Sequence, residues 1–506
     1  MGREVTSLVF TRKDRQVFRE KVHACLDALA DLLAGEEDAG AEPTVGLEVE
    51  LNLVDGECNP AMVNTSVLDA IADPAYQTEL GQFNIEVNVA PRRLDGDNLA
   101  TLEGELRTTL NQANDRAEAV GGRLALIGIL PTLRKQHLQQ RWMSSDPRYT
   151  ALDQQIFAAR GEDIELNIAG VALAQQPDGE RPAVVTDTIL AEAACTSTQL
   201  HLQVSPREFA AHWNSAQMLA GVQVAMAANS PFFAGRALWH ETRIPLFEQA
   251  TDTRPLELRN QGVRPRVWFG ERWISSIFDL FEENSRYFPA LLPECTDEDP
   301  HAVISAGGVP ELAELRMHNG TIYRWNRPIY DTTDTDHHLR LENRVLPAGP
   351  TVRDTVADAA FYYGAVRALA RAERPAWSRM PFEAAAANLQ EGARHGFGAR
   401  LYWPDRGWTS PSDLVLHTLL PLAHAGLDSL GVDPRVRDTY LGVVEDRCRT
   451  GRNGARWQRD AVAAREAAGE DRDRALTGMV ADYLERMHSD APVHTWDSPG
   501  HHLTNE

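Results

Sequence analysis

The sequence GLEVELNLVD, residues 46–55, alternates apolar and polar side chains along its length. Its aliphatic residues fall at every second position, which is the period of a half-buried β-strand. Glu48 and Glu50 lie together on the polar face. Glutamate is disfavoured in strands, and two like charges on one face repel each other. The pattern therefore predicts a strand whose polar face needs a positive partner for two carboxylates.

Four further stretches show the same alternation, and they are residues 82–90, 163–170, 197–206 and 338–346. Each carries aliphatic residues on one face, and Glu, Asn, Gln, His or Arg on the other. Such segments predict one mostly antiparallel sheet with an apolar face and a polar face. The polar face meets either solvent or a ligand, and the pattern alone leaves both interpretations open. Residues 11–35, 95–120 and 206–228 have the pattern of helices.

Composition excludes several classes of protein. The chain has 506 residues and a net charge of −23, which argues against a nucleic-acid or anionic-membrane partner. Its three lysines stand outside any G-x-x-x-x-G-K-[ST] pattern, which excludes a P-loop. The five cysteines are widely spaced and the first residues lack an apolar core, so we expect reduced thiols and a cytoplasmic location.

The acidic residues of the predicted sheet suit divalent cations. Glu48 and Glu50 would hold Mg²⁺ or Mn²⁺ through carboxylate oxygens, and other strands would add Glu86, Glu342 and His201. Arg340 and Arg344 share the face of Glu342 and could neutralise phosphate charge. A set of cross-strand ion pairs is the alternative interpretation of this last strand.

Five motifs follow one another in the order seen in the glutamate–cysteine ligase family, and the chain resembles the carboxylate–amine ligase branch of that family. They are GLEVELNLVD, ELGQFNIEVNVAP (79–91), GGRLALIGILPT (121–132), TSTQLHLQV (196–204) and LRLENRVLPAGPTVRD (339–354). The resemblance covers roughly residues 44–355. It implies an α+β fold similar to the catalytic domain of glutamine synthetase, with helices on the apolar face of a curved sheet.

The resemblance also implies a reaction. ATP would phosphorylate a substrate carboxylate, and an amine would then displace phosphate to form an amide of the γ-glutamyl type. Two or three Mg²⁺ ions would assist. By position, the metal ligands would be Glu48, Glu50, Glu79, Glu86, His201 and Glu342. Arg344 would contact the transferred phosphate, with Glu342 and Arg340 beside it. Glu79 precedes its strand, and an ordinary surface glutamate is the alternative there.

Further residues are candidates for binding substrate or nucleotide, and they are Asn88, Gln199, Arg316, Arg324, Trp325 and Arg327. Arg324 and Arg327 could hold a carboxylate or phosphate, and Trp325 could pack on an apolar part of a ligand. A buried tryptophan packed on arginine is the competing interpretation. Residues 311–320, which include Arg316, fit either a strand or a core helix.

The sequence predicts three regions. Residues 1–350 form a catalytic sheet domain with an N-terminal helix, residues 351–490 form a mainly helical region packed on it, and residues 491–506 form a tail. We expect small-molecule acid and amine substrates, and a homo-oligomer stays open. A phosphotransferase on the same fold and a non-catalytic protein that binds nucleotide or metal are the alternative functions.

Overall fold

A computed structural model describes residues 7–35, 43–171, 179–333 and 336–497 of the chain. Its strands are β1 (Thr44–Val54), β2 (Tyr76–Thr78), β3 (Asn84–Arg93), β4 (Arg123–Ala125), β5 (Ile164–Leu166), β6 (Val184–Thr186), β7 (Ser197–Gln203), β8 (Phe232–Phe233), β9 (Arg236–Ala237), β10 (Val267–Trp268), β11 (Tyr323–Arg324), β12 (Asn326–Thr332), β13 (His337–Pro347), β14 (Leu401–Trp403) and β15 (Gly407–Thr409).

The helices are α1 (Arg12–Gly35), α2 (Asn64–Ile71), α3 (Asn98–Glu118), α4 (Pro147–Arg160), α5 (Pro206–Ala227), α6 (Arg243–Ala250), α7 (Leu256–Asn260), α8 (Ile277–Tyr287), α9 (Pro300–Ser305), α10 (Ala313–Asn319), α11 (Val352–Ala370), α12 (Phe382–His395), α13 (Pro411–Leu414), α14 (Leu420–Ser429), α15 (Pro434–Thr450), α16 (Gly454–Ala467) and α17 (Arg472–Ser489). None of these described helices is long and apolar enough to cross a membrane.

Seven strands form the central sheet. Their order is β12-β13-β7-β1-β3-β2, and β4 pairs with the end of β1. Every pair in the sheet is antiparallel. The sheet curls into a half-barrel, and together with the many helices it gives the mixed, glutamine-synthetase-like α+β architecture. The fold class that the alternating motifs and the family resemblance predicted is confirmed.

The aliphatic residues of β1 point into the main core. Leu47, Val49 and Leu51 are almost fully buried, and their strand neighbours on the same face are buried with them. Helices α5 and α11 pack against this side of the sheet, α5 chiefly on β13. Because side chains alternate along a strand, burial of this face leaves the glutamates of β1 on the opposite, polar face.

The helical region after β13 packs against the same core. Helix α11 contacts α5, α14 and α15. A Cβ atom on Gly426 of α14 would overlap the carbonyl oxygen of Gly364, so only glycine permits this helix crossing. The buried guanidinium of Arg447 bonds to Asp354 at 2.8 Å and to Asp358 at 2.5 Å, which ties α15 to α11. A domain boundary near residue 350 stays a prediction.

The structure corrects several assignments. The predicted strand at 163–170 is shorter and pairs with β6 in a separate two-stranded sheet, so it lies outside the central sheet. Of the two alternatives left open for residues 311–320, the structure shows the helix, with α10 at residues 313–319. A short hairpin, β14–β15, interrupts the helical region. The predicted tail packs on the protein through Trp496, which contacts Trp457, and residues 498–506 lie outside the described part of the chain.

Candidate active site

The two glutamates of β1 face polar residues on both neighbouring strands. Glu50 lies opposite Glu86 of β3, and Glu48 lies opposite Asn88 of β3 and Gln199 of β7. The amide of Asn88 donates to Glu86 at 2.8 Å, and the amide of Gln199 donates to Glu50 at 2.8 Å. The register therefore brings five of the predicted site residues to one patch of the polar face.

Strand β7 extends this patch to β13 and β12. His201 lies opposite Glu342 of β13, and Glu342 lies opposite Arg327 of β12. Each of these pairs joins neighbouring antiparallel strands, so its side chains lie on the same face. The polar face thus runs continuously from Glu86 to Arg327 across five strands.

One set of donors, which we call the His201 cluster, consists of Glu48, His201 and Glu342. Each offers an oxygen or nitrogen atom, and these atoms lie within 4.8 Å of one another. The Nε2 atom of His201 lies 2.9 Å from a carboxylate oxygen of Glu48. Neither ring nitrogen has a geometrically sound hydrogen bond to a described residue, although the imidazole is buried. A buried nitrogen atom without such a hydrogen bond is available to bind a metal ion.

The second set, the Glu86 cluster, consists of Glu50, Glu79 and Glu86, again with oxygen atoms within 4.8 Å of one another. Burial and the neighbouring charges of Glu48 and Glu50 raise the pKa of Glu86 to about 7. Burial, with Glu86 and Glu50 close by, raises the pKa of Glu79 well above its ordinary value. Three acids this close are stable only when protons or cations neutralise them.

The donor sets fit divalent cations. Carboxylate oxygens suit Mg²⁺, and oxygen with one imidazole also suits Mn²⁺. Burial is the largest influence on the pKa of Glu48 and acts to raise it, but His201 and Arg344 together lower it below its ordinary value. Glu79 precedes its strand, and an ordinary surface glutamate was the alternative interpretation. Its carboxylate lies beside those of Glu50 and Glu86. The assignment of all six residues as metal ligands stays a prediction.

Two arginines hold the carboxylate of Glu342. Arg327 donates to it through Nε and, at 2.9 Å, through a terminal nitrogen. Arg344 donates to it at 2.7 Å and also to the side-chain oxygen of Gln199. Burial alone would raise the pKa of Glu342, but these guanidinium groups hold it far below its ordinary value. Arg344 therefore lies between the His201 cluster and the Gln199–Glu50 hydrogen bond.

Arg340 lies further along the same sheet face, and Arg316 of helix α10 lies close to it. Both donate to the carboxylate of Asp331, at 2.9 and 2.7 Å. Arg340 also lies 2.9 Å from His338. They form a separate ion-pair group, because neither has a contact with the two acid clusters among the described residues. Their predicted roles in catalysis and substrate binding stay predictions.

The structure does not bring Arg324 and Trp325 to this site. The guanidinium of Arg324 is buried, bonds to Glu283 and Asn284, and lies 4.7 Å from the ring centroid of Trp268. Trp325 is 2% exposed and packs edge-on against Phe247 in the core. Both residues precede β12, and the chain turns before Arg327 reaches the polar face. Both residues are buried away from the two acid clusters, and Arg324 lies over Trp268 rather than over Trp325.

Two residues that the sequence patterns missed lie beside the Glu86 cluster. Burial and the charge of Glu50 raise the pKa of Glu192 to about 7, and Arg344 and Arg243 act against this rise. Arg243 is buried and bonds to Glu241 at 3.0 Å and to the carbonyl oxygen of Val345 at 3.3 Å. Glu192 belongs to a 3₁₀ helix and Arg243 to α6, so neither shares the strand alternation that revealed the other site residues.

Two solved structures are similar to this chain. The chain is similar to a glutamate–cysteine ligase from Francisella tularensis, solved in complex with AMP, with a TM-score of 0.54, 11% identity, and coverage of 88% of this chain and 89% of that one. It is also similar to a bifunctional glutathione synthetase from Pasteurella multocida, with a TM-score of 0.47, 11% identity, and coverage of 94% of this chain and 55% of that one. No curated protein sequence matches the chain.

A family model decides the membership of the chain. The model for glutamate–cysteine ligase family 2 matches residues 44–478, which include both acid clusters and their arginines. This match confirms the resemblance that the five ordered motifs indicated. The chain therefore belongs to glutamate–cysteine ligase family 2, a carboxylate–amine ligase family.

Proposed function

We propose that this protein is an ATP-dependent ligase that joins a carboxylate to an amine through an acyl phosphate, with a γ-glutamyl amide as the product. The observation that carries the proposal is the position of Arg344, which bonds to Glu342 of the His201 cluster and to Gln199, the partner of Glu50. One fixed cation between two acid clusters suits a reaction that gathers several anionic oxygens.

The two clusters would each hold divalent cations, two or three Mg²⁺ ions in total. Bound there, Mg²⁺ would neutralise phosphate oxygens of ATP and polarise the transferred phosphoryl group. The number and identity of the ions rest on the donor sets and on family membership. The AMP in the Francisella ligase supports a nucleotide site in this fold.

The residues of the chain would neutralise negative oxygens and hold the substrates in position. A substrate carboxylate oxygen attacks the γ-phosphorus of ATP, the bond to the bridging oxygen breaks, and ADP leaves. The amine nitrogen then attacks the acyl carbon, the bond from that carbon to the phosphate oxygen breaks, and phosphate leaves with the proton that the nitrogen loses as the amide forms. Arg344 and Arg327 would hold negative oxygens in both steps, because their guanidinium groups are fixed by Glu342 rather than free to rotate. Such preorganised charge lowers a barrier without a covalent enzyme intermediate.

An ADP-release assay tests this function. The protein is incubated with ATP and Mg²⁺, and amino-acid pairs are screened, beginning with glutamate plus cysteine. We expect ADP release that requires both an acid and an amine, with a product mass equal to their sum less water. ADP release that needs only one acceptor would indicate a phosphotransferase. Tight ATP binding with no turnover for any pair would indicate a non-catalytic nucleotide-binding protein.

The same proposal includes the cellular setting. All five cysteines are free thiols, which supports the cytoplasmic location expected from their spacing. The proposed substrates are small molecules, in keeping with the family. A homo-oligomer stays open.

A further inference from the structure

A cavity lies away from the candidate active site, between α1 and the C-terminal end of α8. Its volume is about 480 Å³, within the range of about 300–1,000 Å³ that small-ligand sites occupy. Its apolar lining comes from Phe18 and Val22 of α1 and from Phe288, Pro289 and Ala290. Tyr287 also borders it and is 45% exposed, which is a large exposure for an aromatic residue.

The charged lining of this cavity is basic. Arg15, Arg19 and His23 follow one another at four-residue spacing on α1, and Arg286 joins them from α8. None of the described residues that line the cavity is acidic, although the whole chain has 73 acidic and 50 basic residues. Basic side chains spaced four apart on a helix repel one another, so this arrangement lowers the stability of α1 unless an anion binds to it.

The arginines differ in how far their charge is satisfied. Arg15 bonds to the carbonyl oxygen of Ala290 at 2.8 Å and to the side-chain oxygen of Gln155 at 2.6 Å, and both acceptors are neutral. Arg286 pairs with Glu282 at 2.7 Å, just outside the cavity lining. Arg19 is exposed and forms no hydrogen bond or ion pair with any other described residue. Two positive charges therefore reach the cavity without a carboxylate bonded to them.

A buried histidine also borders the cavity. His318 of α10 borders the cavity and is 4% exposed. Its Nε2 atom lies 3.0 Å from the carbonyl oxygen of Asn284, so Nε2 carries the proton and donates it there. Nδ1 then has a free lone pair and no hydrogen-bond partner among the described residues. The ring is neutral, since burial lowers the pKa of His318 to about 4.

The cavity is separate from the proposed active site. None of its lining residues belongs to the two acid clusters or to the arginines around Glu342. Helix α1, which supplies one wall, precedes the residues 44–478 that the family model matches. This wall of the cavity therefore lies outside the region that the family model matches.

We propose that this cavity is a binding site for a small organic anion with an aromatic or bulky apolar body. The apolar side chains of the lining would contact the body of the ligand, since burial of apolar surface is favourable. The guanidinium groups of Arg19 and Arg15 would hold the carboxylate, sulfonate or similar head group. A simple inorganic anion would leave the apolar lining exposed to water, and a neutral aromatic molecule would leave the arginines without a negative partner.

Fluorescence titration with anilinonaphthalene sulfonate tests the site in the full-length protein. This dye is an aromatic anion, and its neutral analogue phenylnaphthylamine has the same rings without the sulfonate. We expect one saturable site for the anionic dye that saturating ATP with Mg²⁺ does not displace. Loss of one charge-assisted contact should weaken it about tenfold in Arg19→Glu. Arg12→Glu, on the same helix and outside the lining, should leave dye binding unchanged.

Any one of four results would overturn the proposal. The first three are equal dye affinity in wild type and Arg19→Glu, equal affinity for the neutral analogue, and displacement of the dye by ATP with Mg²⁺. Displacement by inorganic phosphate as readily as by benzoate would also contradict it, because phosphate lacks the apolar body. Ser285→Trp serves as a second variant that fills the cavity without changing charge, and it should also weaken dye binding. Dye binding is measured without turnover, so failure of the proposed ligase activity would not affect this test.

Discussion

The Nε2 atom of His201 lies 2.9 Å from a carboxylate oxygen of Glu48, across the strand pair β1–β7. Both side chains are largely buried and face the carboxylate of Glu342 from the same side of the sheet. An imidazole nitrogen and two carboxylates at this separation could form part of the coordination shell of a divalent cation.

Glu48→Gln tests this arrangement. The amide keeps the shape of the side chain but removes the charge. Changing a residue that only supports a metal ligand costs roughly 10- to 100-fold in metal affinity. Because Glu48 would be a ligand itself, we expect the Mg²⁺ concentration for half-maximal ATP turnover to rise at least about 100-fold. Glu57→Gln, an exposed acid just beyond β1, is the matched control and should behave as wild type. An unchanged Mg²⁺ titration in Glu48→Gln would remove the metal-site interpretation.

Arg344→Ala should reduce the rate of the chemical step. The guanidinium links Glu342 and Gln199, and preorganised donors of this kind contribute about 100- to 1,000-fold to kcat. Circular dichroism would verify the fold, and ADP release at saturating substrates would give kcat. Arg379→Ala, which removes an exposed arginine paired with Asp405, is the control. A rise in KM with kcat preserved would assign Arg344 to substrate binding instead.

The stability of the metal-free protein should depend on pH through Glu86. Its pKa is about 7 in the folded chain, above the ordinary value of 4.5, because burial and Glu48 and Glu50 disfavour its charge. The folded state therefore holds a proton that the unfolded state releases earlier. This contribution is complete below about pH 4.5 and is lost as the pH rises through about 7.

Thermal unfolding in EDTA and in Mg²⁺ would measure that effect. We expect the melting temperature in EDTA to fall with rising pH across this window, and Mg²⁺ to restore more stability at the higher pH, since the cation replaces the proton. In Glu86→Gln the EDTA curve should be flatter than in wild type. Parallel curves for the two proteins would mean that other groups cause the pH dependence.

The alternation of side chains was enough to predict most of the sheet. Strands β1, β3, β7 and β13 each have their apolar residues in the core and their polar residues on the other face. Alternation does not specify a partner strand, however. The pattern of residues 163–170 therefore could not show that this segment pairs outside the central sheet. A local pattern predicts a strand and its two faces, whereas tertiary packing decides which sheet the strand joins.

Site residues were predictable where they lie on regular strands. Glu50 and Glu86 follow the period of two, and the antiparallel register of β1 and β3 then brings them opposite each other. Glu192 lies in a 3₁₀ helix with no such period, so only the folded chain reveals its closeness to Glu50. Arg324 and Arg327 are three positions apart, yet a break between β11 and β12 places one in the core and one at the site.

Tyr363 connects the helical region to the strands that carry the proposed metal ligands. From α11, behind the sheet, its hydroxyl lies 3.1 Å from the carbonyl oxygen of Gly46 and 3.2 Å from that of His201, and so bridges β1 and β7. Tyr363→Phe should cost about 1 kcal/mol of unfolding free energy and weaken Mg²⁺ binding, because the strands that carry Glu48 and His201 lose a shared contact. Tyr362→Phe is the matched control, since this equally buried hydroxyl has no hydrogen-bond partner among the described residues. Its removal should leave stability unchanged or slightly increased. Denaturant unfolding and Mg²⁺ titration of both variants check the pair, and equal losses in the two would show that tyrosine packing, not the bridge, supports the site.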